Sequence, residues 1–511
     1  MATKWLSSLF LLVSFSCIRA QTITAASCNA SDVQAALNSV TTSTTTVNIP
    51  AGNCTWNAEV TFTVPSGNNT LSILGAGNLT TTGGGDATVI IDDYSGTSSL
   101  WQITTGASGS YFRFAGITLQ GGNGAVKSNG MLAIGGTSQS LRVDHSHLNM
   151  STYSPAVASV GIRFANWLYG VADHNILDGS TGATSEGVNV WDDAYGGSSF
   201  GDGAWNDKSA LGTASFLFVE DNTFNNGTYM DDCYAGGRMV VRHNTINNAA
   251  GQTHPTGGAG RIRGCRAFEV YENNYTGSNS SPLYNALWLS SGTGVVWGNS
   301  APTGYEHFIT GQVMRANSST YSQTAPPNGW GYCGTSQTGS ASGWDQNSDS
   351  SGYACIDQIG RGLGDLLQND FPTACDVTSG GCKSSTYTGT WPHQALEPIY
   401  EWLDTWNQVP GYANSIWSDS ESQAQPNRDY YLYTTSFTGS SGTGSGSLAN
   451  RPSTCTPMVA YWATDQNTLY QCSATNQWSV YYTPYTYPHP LTSAAETTGP
   501  ASPTNLTVVV H

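Results

Sequence analysis

Short alternations of apolar and polar residues recur along the first 300 positions and can be set one above another. The segments "LRVDHSHL" (141–148), "GVADHNIL" (170–177), "LFVEDNTF" (217–224), "MVVRHNTI" (239–246), "FEVYENNY" (268–275) and "GVVWGNSA" (294–301) share one register. One column of that stack reads Ser146, Asn175, Asn222, Asn244, Asn273 and Asn299, at spacings of 29, 47, 22, 29 and 26 residues. Three positions earlier stands a small apolar residue every time: Val143, Ala172, Val219, Val241, Val270 and Val296. Alternate residues of a strand face opposite sides, so this column is predicted to face a core. The Asn column falls at the following bend, where each side-chain amide can bond the next and satisfy polar groups that the turn exposes. Short strands repeating every 20–30 residues predict a solenoid of parallel strands. The spacing of 47 is either two coils or one coil with an insertion containing "AWNDKSALG". "YFRFAGITLQG" (111–121) fits an earlier coil.

With this register the chain resembles the right-handed parallel β-helix proteins of the pectin-lyase-like superfamily. The opening is similar too: "CNASDVQAALNSV" reads as a short helix, and "VNIPAGNCTW", "LSILGAGN" and "TVIIDD" look like first turns of that fold. The resemblance runs from about Ser27 to Asn299 and implies an all-β protein, a right-handed parallel β-helix with an N-terminal cap helix. It identifies a fold better than an activity, because the fold hosts many functions. The solenoid is expected over 21–301, followed by a loop-rich, disulfide-containing extension packed on it over 302–437. Within the extension, "WPHQALEPIYEWLDTW" (391–406) is expected to form a short helix, from apolar residues at Leu396, Ile399, Tyr400 and Leu403. "TGSSGTGSGS" (438–447) reads as a flexible linker. Residues 448–511 read as a small disulfide-closed β tail whose aromatic side chains cover the solenoid or contact sugar.

The first 20 residues add a compartment. Lys4 precedes an apolar run, Trp5 to Phe15, that is too short to span a bilayer, and small residues follow as far as Ala20. A signal peptide over 1–20 is expected, and with it a secreted, extracellular monomer without membrane insertion. Its removal takes Cys17 from the 11 cysteines and leaves an even number, which in an exported chain suggests disulfides. Nearest-neighbour pairing gives Cys28–Cys54, Cys233–Cys265, Cys333–Cys355, Cys375–Cys382 and Cys455–Cys472, one of the connectivities that the sequence leaves open. The formal net charge of −17 argues against nucleic acid as a partner. The 16 Trp, 26 Tyr and 14 Phe exclude a disordered chain.

Candidate chemistry comes from the face opposite the core. Two positions before each ladder residue stand Asp144, Asp173, Glu220, Arg242, Tyr271 and Trp297. This column is expected in solvent, where acids, a cation and aromatic faces would suit a polysaccharide. Five arginines (Arg238, Arg242, Arg261, Arg263 and Arg266) gather within 29 residues of a chain that has only 17 Lys and Arg. Guanidinium groups match carboxylates in bidentate geometry, so an acidic, uronate-containing polysaccharide is the expected partner. The resemblance implies a polysaccharide lyase, which neutralises the carboxylate, removes the α-proton and expels the 4-oxygen by β-elimination. Arg242, His254, Arg266 and Glu269 are then the candidate catalytic residues. Arg238, Arg261, Arg263, Tyr271 and Trp297 would bind substrate, and Asp144, Asp173 and Glu220 are candidate Ca²⁺ ligands. A structural alternative is that Arg242 pairs with Glu269, and Arg238 or Arg266 with Asp231 or Asp232. His145, His174 and His243 repeat beside the ladder residue, which favours a role in the bend.

Two other classes stay open. A polygalacturonase-like hydrolase is suggested by "DD" at Asp231–Asp232 and "RIR" at Arg261–Arg263, although a Gly-His-Gly element is missing and the Arg motif follows Asp232 too soon. Asp232, with Asp231 or Glu220, would then be acid and base. A solenoid that only binds glycan is the third reading.

Overall fold

In the computed structural model each coil gives one strand to each of three parallel sheets, and the chain is a parallel β-helix as predicted. The structure describes residues 20–180, 182–195, 201–205, 207–227, 229–255, 263–276, 285–305, 307–312, 344–349, 352–355, 357–362, 394–408, 416–419 and 424–493. The first sheet has 12 strands, from Gln21–Thr24 to Tyr430–Tyr431, and includes the strand before the bend in each aligned segment. The second has 10 strands, from Gly52–Trp56 to Thr405–Gln408, and the third has 10, from Val60–Thr63 to Trp417–Asp419. A helix, Ala30–Asn38, buries Val33, Ala36 and Leu37 against the first coils and forms the expected cap.

The inward column is in register throughout: Val143, Ala172, Val219, Val241, Val270 and Val296 are successive partners in the first sheet. All six are buried in the core. At the bend, the backbone N–H groups of Ser146, Asn175, Asn222, Asn244 and Asn273 each donate to the side-chain oxygen of the next ladder residue, at 2.9–3.0 Å. From Asn175 onward the side-chain amides do the same, at 2.9–3.1 Å. The ladder then runs one rung further than predicted, because Asn299 donates both its N–H and its Nδ2 to Asp404 Oδ1, at 2.7 and 2.8 Å. The residue before each rung turns the corner with positive φ: His145 48°, His174 55°, Asp221 57°, His243 56°, Glu272 54°, Gly298 65° and Leu403 59°. Histidine tolerates this left-handed conformation better than most residues, which accounts for its recurrence there.

The spacing of 47 is one coil, since Gly170–Asp173 pairs directly with Leu217–Glu220. The extra residues leave the third sheet after Trp191 and include a four-residue helix, Asp202–Trp205.

Two expectations need correction. The solenoid does not stop at 301, because Ile399–Trp402 and Thr405–Gln408 form a further coil on Thr293–Trp297 and Ser300–Tyr305. The helix expected over 391–406 is therefore strand. Its helical spacing was accidental: Leu403 is at the bend, and Leu396 and Leu403 are both exposed. The coil was hard to recognise because Glu401 takes the inward place opposite Val296 and Asp404 replaces the ladder Asn. Burial raises the Glu401 carboxyl to about 7, and Asp404 beside it is also raised by burial, so the pair holds a proton in this apolar setting.

The C-terminal region forms a four-stranded sheet: Thr443–Gly446, Ala460–Ala463, Thr468–Ala474 and Gln477–Tyr482. Its first strand lies within the stretch expected to be a flexible linker, and Thr443 is buried. Disulfides Cys28–Cys54, Cys233–Cys265 and Cys455–Cys472 are present as paired above. The side chains of the other two pairs, and the proposed signal peptide before residue 20, lie outside the described residues. Among the described residues no helix is long and apolar enough to cross a membrane.

Candidate functional site

The outward column of the first sheet does point away from the solenoid core, but it does not meet solvent. Asp144, Asp173, Glu220, Arg242, Tyr271 and Trp297 are all buried. Tyr271 stacks on Trp297 at 4.5 Å and Trp297 on Trp402 at 5.7 Å, while Trp462 of the C-terminal sheet lies 5.1 and 5.0 Å from the two tryptophans. Strand alternation gave the correct face; the C-terminal sheet, whose aromatics pack on this column, removes it from water.

The arginines are buried as well, Arg242 under the C-terminal segment and the others under different parts of the chain. Arg242 donates from Nε to Glu220 Oε2 (2.7 Å) and from its two Nη atoms to Tyr271 Oη and to the Tyr485 and Thr486 carbonyls (2.8–2.9 Å). Arg263 forms a bidentate pair with Asp357, at 2.7 and 2.8 Å. Arg266 donates to the Asp207 carbonyl and lies 3.0 Å from Glu397 Oε2. Arg238 donates to the Ala204 carbonyl and lies over the Tyr195 ring. These four side chains are fully buried, and Arg261 is outside the described residues. The cluster therefore forms no exposed wall, and its members do not pair with Glu269, Asp231 or Asp232. Glu269 accepts from Gly212 N and Tyr482 Oη, and burial pushes its carboxyl up to about 7.

The proposed calcium ligands are likewise engaged. Arg113 holds Asp144 at 2.7 and 2.8 Å, Arg142 holds Asp173 at 2.8 and 2.9 Å, and Glu220 is taken by Arg242 and by His489 N. Among the described residues no group of three or more His, Cys, Asp and Glu side chains is placed to hold a metal ion.

His254 alone of the four catalytic candidates reaches an open surface, and it does so on the third sheet. Four strands there matter: Ser159–Ala165, Ser185–Trp191, Tyr229–Tyr234 and Gly251–Thr253. On the first two, Gly161 and Gly187 face the core together with the residue after them, which breaks the alternation. A Cβ on Gly187 would lie 2.7 Å from the buried Phe224 ring, and one on Gly161 would lie 3.4 Å from Met150 Cε, while Ile162 and Val188 are core residues. Glu186 is thereby brought to the same outer face as Asn189. On the next strand Met230 and Asp231 take the two inward places, so the "DD" pair is split. Asp231 is fully buried and accepts from Gln252 N, whereas Asp232 lines the surface groove.

The groove has a volume of about 350 Å³ and is lined by Glu186, Asn189, Trp191, Asp232, Tyr234 and His254, with Arg163 at one end. Arg163 also borders a second hollow of about 250 Å³, which continues toward the N-terminal coils past Asn129 and Gln102. Asn189 and Asp232 are register partners on adjacent strands. Asn189 Nδ2 donates to Glu186 Oε2 at 3.1 Å. Burial, and then the negative charge of Asp232, push the Glu186 carboxyl up to about 7. His254 Nδ1 lies 3.2 Å from Asp232 Oδ2. Burial alone would lower the imidazole, but the charges of Asp232 and Glu186 and the contact with Asp232 outweigh it and raise the proton affinity. Arg163 stacks at 3.9 Å on Trp191 and donates to Asn129 Oδ1 at 2.6 Å. Trp191, Tyr234 and His254 are in edge-to-face contact, at 4.6 and 4.5 Å.

Glu186, Asn189, Trp191 and Arg163 escaped the sequence reading because the ladder register belongs to the first sheet. The signal was present in a second alignment: "VGIRFA" over "EGVNVW" over "YMDDCY" puts Arg163, Asn189 and Asp232 in one column.

No protein-family model matches the chain, and no curated protein matches it. Among solved structures it is similar to the catalytic domain of GH87 alpha-1,3-glucanase D1069A in complex with tetrasaccharides, at 14% identity and a TM-score of 0.28, over 60% of this chain and 62% of that one. The D1068A form of a GH87 alpha-1,3-glucanase gives 12% identity and a TM-score of 0.25, over 57% and 60%. The Geobacillus virus E2 protein ORF18 gives 9% and 0.27, over 90% and 86%. The chain thus spans about three fifths of the length of the glucanase domains it matches.

Proposed function

We propose that the protein is a secreted, carbohydrate-active enzyme that hydrolyses glycosidic bonds in a polysaccharide lying along the third sheet. The observation that supports this is the carboxyl pair Glu186 and Asp232 on adjacent coils of an open groove. Glycoside hydrolysis needs one carboxyl that keeps its proton and one that has lost it. Glu186, held up to about 7, is suited to protonate the departing glycosidic oxygen. Asp232, with the His254 imidazole against it, serves as the carboxylate that activates water or attacks the sugar. Trp191 and Tyr234 offer aromatic faces to sugar rings. The disulfides are compatible with an exported enzyme.

β-Elimination, which the pectin-lyase-like resemblance implies, would need a cation on the uronate carboxylate. Among the described residues Arg163 is the guanidinium that lines the groove, and it is already stacked on Trp191 and bonded to Asn129. Hydrolysis is therefore favoured over elimination and over binding alone. Incubation with a panel of polysaccharides should release new reducing ends without the ultraviolet absorbance of an unsaturated uronate. Glu186→Gln and Asp232→Asn should each lower the rate by at least about 100-fold. Rising absorbance would instead support the lyase, and retained activity in both variants would remove the carboxyl pair from the chemistry.

A further inference from the structure

The groove also carries information about what it receives. Asn189 and Asp232 are 5% and 4% exposed, and Asn189 Oδ1 and Asp232 Oδ1 both lack a hydrogen-bond partner. Buried acceptors of this kind are costly unless a ligand or water supplies a donor. Both atoms are acceptors on side chains that line the groove, where Trp191 Nε1, a donor, and His254 Nδ1 also lack a hydrogen-bond partner. A sugar hydroxyl both donates and accepts and so can serve all of them; a carboxylate only accepts and leaves Asn189 Oδ1 and Asp232 Oδ1 unserved. The fixed charges agree. Asp232 and Asp193 line the two hollows, joined by Glu186 once it ionises above about pH 7, against Arg163, which stacks on Trp191, and His254, which lies against Asp232. Among the described residues of the groove, a uronate would meet this negative charge beside one guanidinium, Arg163, that is already engaged by Trp191 and Asn129. The two hollows share Arg163 and together cross six strands, from Gln102 to His254, which at about 4.8 Å per strand gives a span of about 24 Å.

We infer that the groove on the third sheet takes an uncharged polysaccharide, with sugar hydroxyls donating to Asn189 Oδ1 and Asp232 Oδ1, and excludes uronate polymers. This deepens the hydrolase reading and rests on the same site, but it fails separately. Mobility of the full chain in native gels cast with neutral glucans, galactans, mannans or xylans, against gels with polygalacturonate or alginate, tests it without requiring turnover. At least one neutral polymer should retard the protein and the uronate polymers should not. Asn189→Leu, if its melting temperature is unchanged, should weaken neutral-polymer binding about tenfold. At pH 8, where Glu186 has lost its proton, Glu186→Gln removes one negative charge and should raise uronate affinity about tenfold. Retardation by a uronate polymer equal to that by neutral ones, or by no neutral polymer at all, overturns the inference. Hydrolysis of a uronate polymer that depends on Glu186 would overturn it while leaving the hydrolase standing. Neutral-polymer binding without any new reducing ends would do the reverse.

Discussion

Replacing Arg242 by Met separates a structural arginine from a catalytic one. The side chain is fully buried, and so is its partner Glu220. The change removes the Glu220 pair and the bonds to Tyr271 Oη and to the carbonyls of Tyr485 and Thr486. Breaking a buried ion pair from one side costs about 3–5 kcal/mol, because the remaining charge is left in a poor solvent. Glu220 keeps one compensating donor, His489 N at 2.7 Å, and burial already raises its proton affinity. At pH 7 the loss should therefore be about 4 kcal/mol. It should shrink as pH falls, because burial raises the proton affinity of Glu220, which can then take up a proton and relieve itself. Denaturant titration followed by tryptophan fluorescence measures the loss. Limited proteolysis should find new cuts near 483–492, the segment that Arg242 ties down. Hydrolysis at low temperature should persist, since the groove is on a different sheet. A variant of normal stability that has lost turnover would refute this account and restore Arg242 to the chemistry. Glu220→Gln combined with Arg242→Met should recover part of the loss in a double-mutant cycle.

Other predictions follow from the groove and the ladder. Glu186 must hold its proton to act as an acid, so hydrolysis should fall as pH rises through about 7, and Glu186→Gln should abolish that limb of the profile. The same upward shift means that the unfolded chain ionises first, so this residue should lower stability as pH climbs from about 4.5 to about 7, and the cost should be constant above that. Asn244→Ala removes a side chain that donates to Val219 O, Arg242 O and Asn273 Oδ1 and accepts from Asn222, and should cost at least about 3 kcal/mol by thermal or denaturant unfolding. Replacing Cys233 and Cys265 by Ser opens a link of 32 residues between neighbours of Asp232 and His254. It should destabilise by about 3 kcal/mol and depress hydrolysis more than loss of Cys28–Cys54 at the distant cap, as paired rate assays would show.

Much of the scaffold was legible because the first sheet writes its geometry into single residues. A corner that needs a side-chain amide must show Asn, and a core-facing column must show Val or Ala. The coil at 399–408 was lost where those demands were met by other chemistry, a proton-sharing Glu401–Asp404 pair. The site was less visible for two reasons. Outward residues of the first sheet look solvent-facing until a segment more than 200 positions later in the chain covers them, as Tyr485 covers Arg242. Glu186 reaches the groove only because Gly187 and Val188 both turn inward, a local departure from alternation that no periodic template anticipates. His254 was found because it stood outside the repeat, where scaffold duties do not explain a histidine.

The exchange of Asn for Asp404 at the last rung has a consequence for how the molecule ends. An amide both receives and gives hydrogen bonds, so a row of amides is indifferent to length and could run on into another molecule stacked end to end. A carboxyl group at that place receives from Asn299 but has no amide hydrogens to hand on. The row of amides thus has a direction and a full stop at Asp404, one coil before the first sheet itself ends at Tyr430–Tyr431.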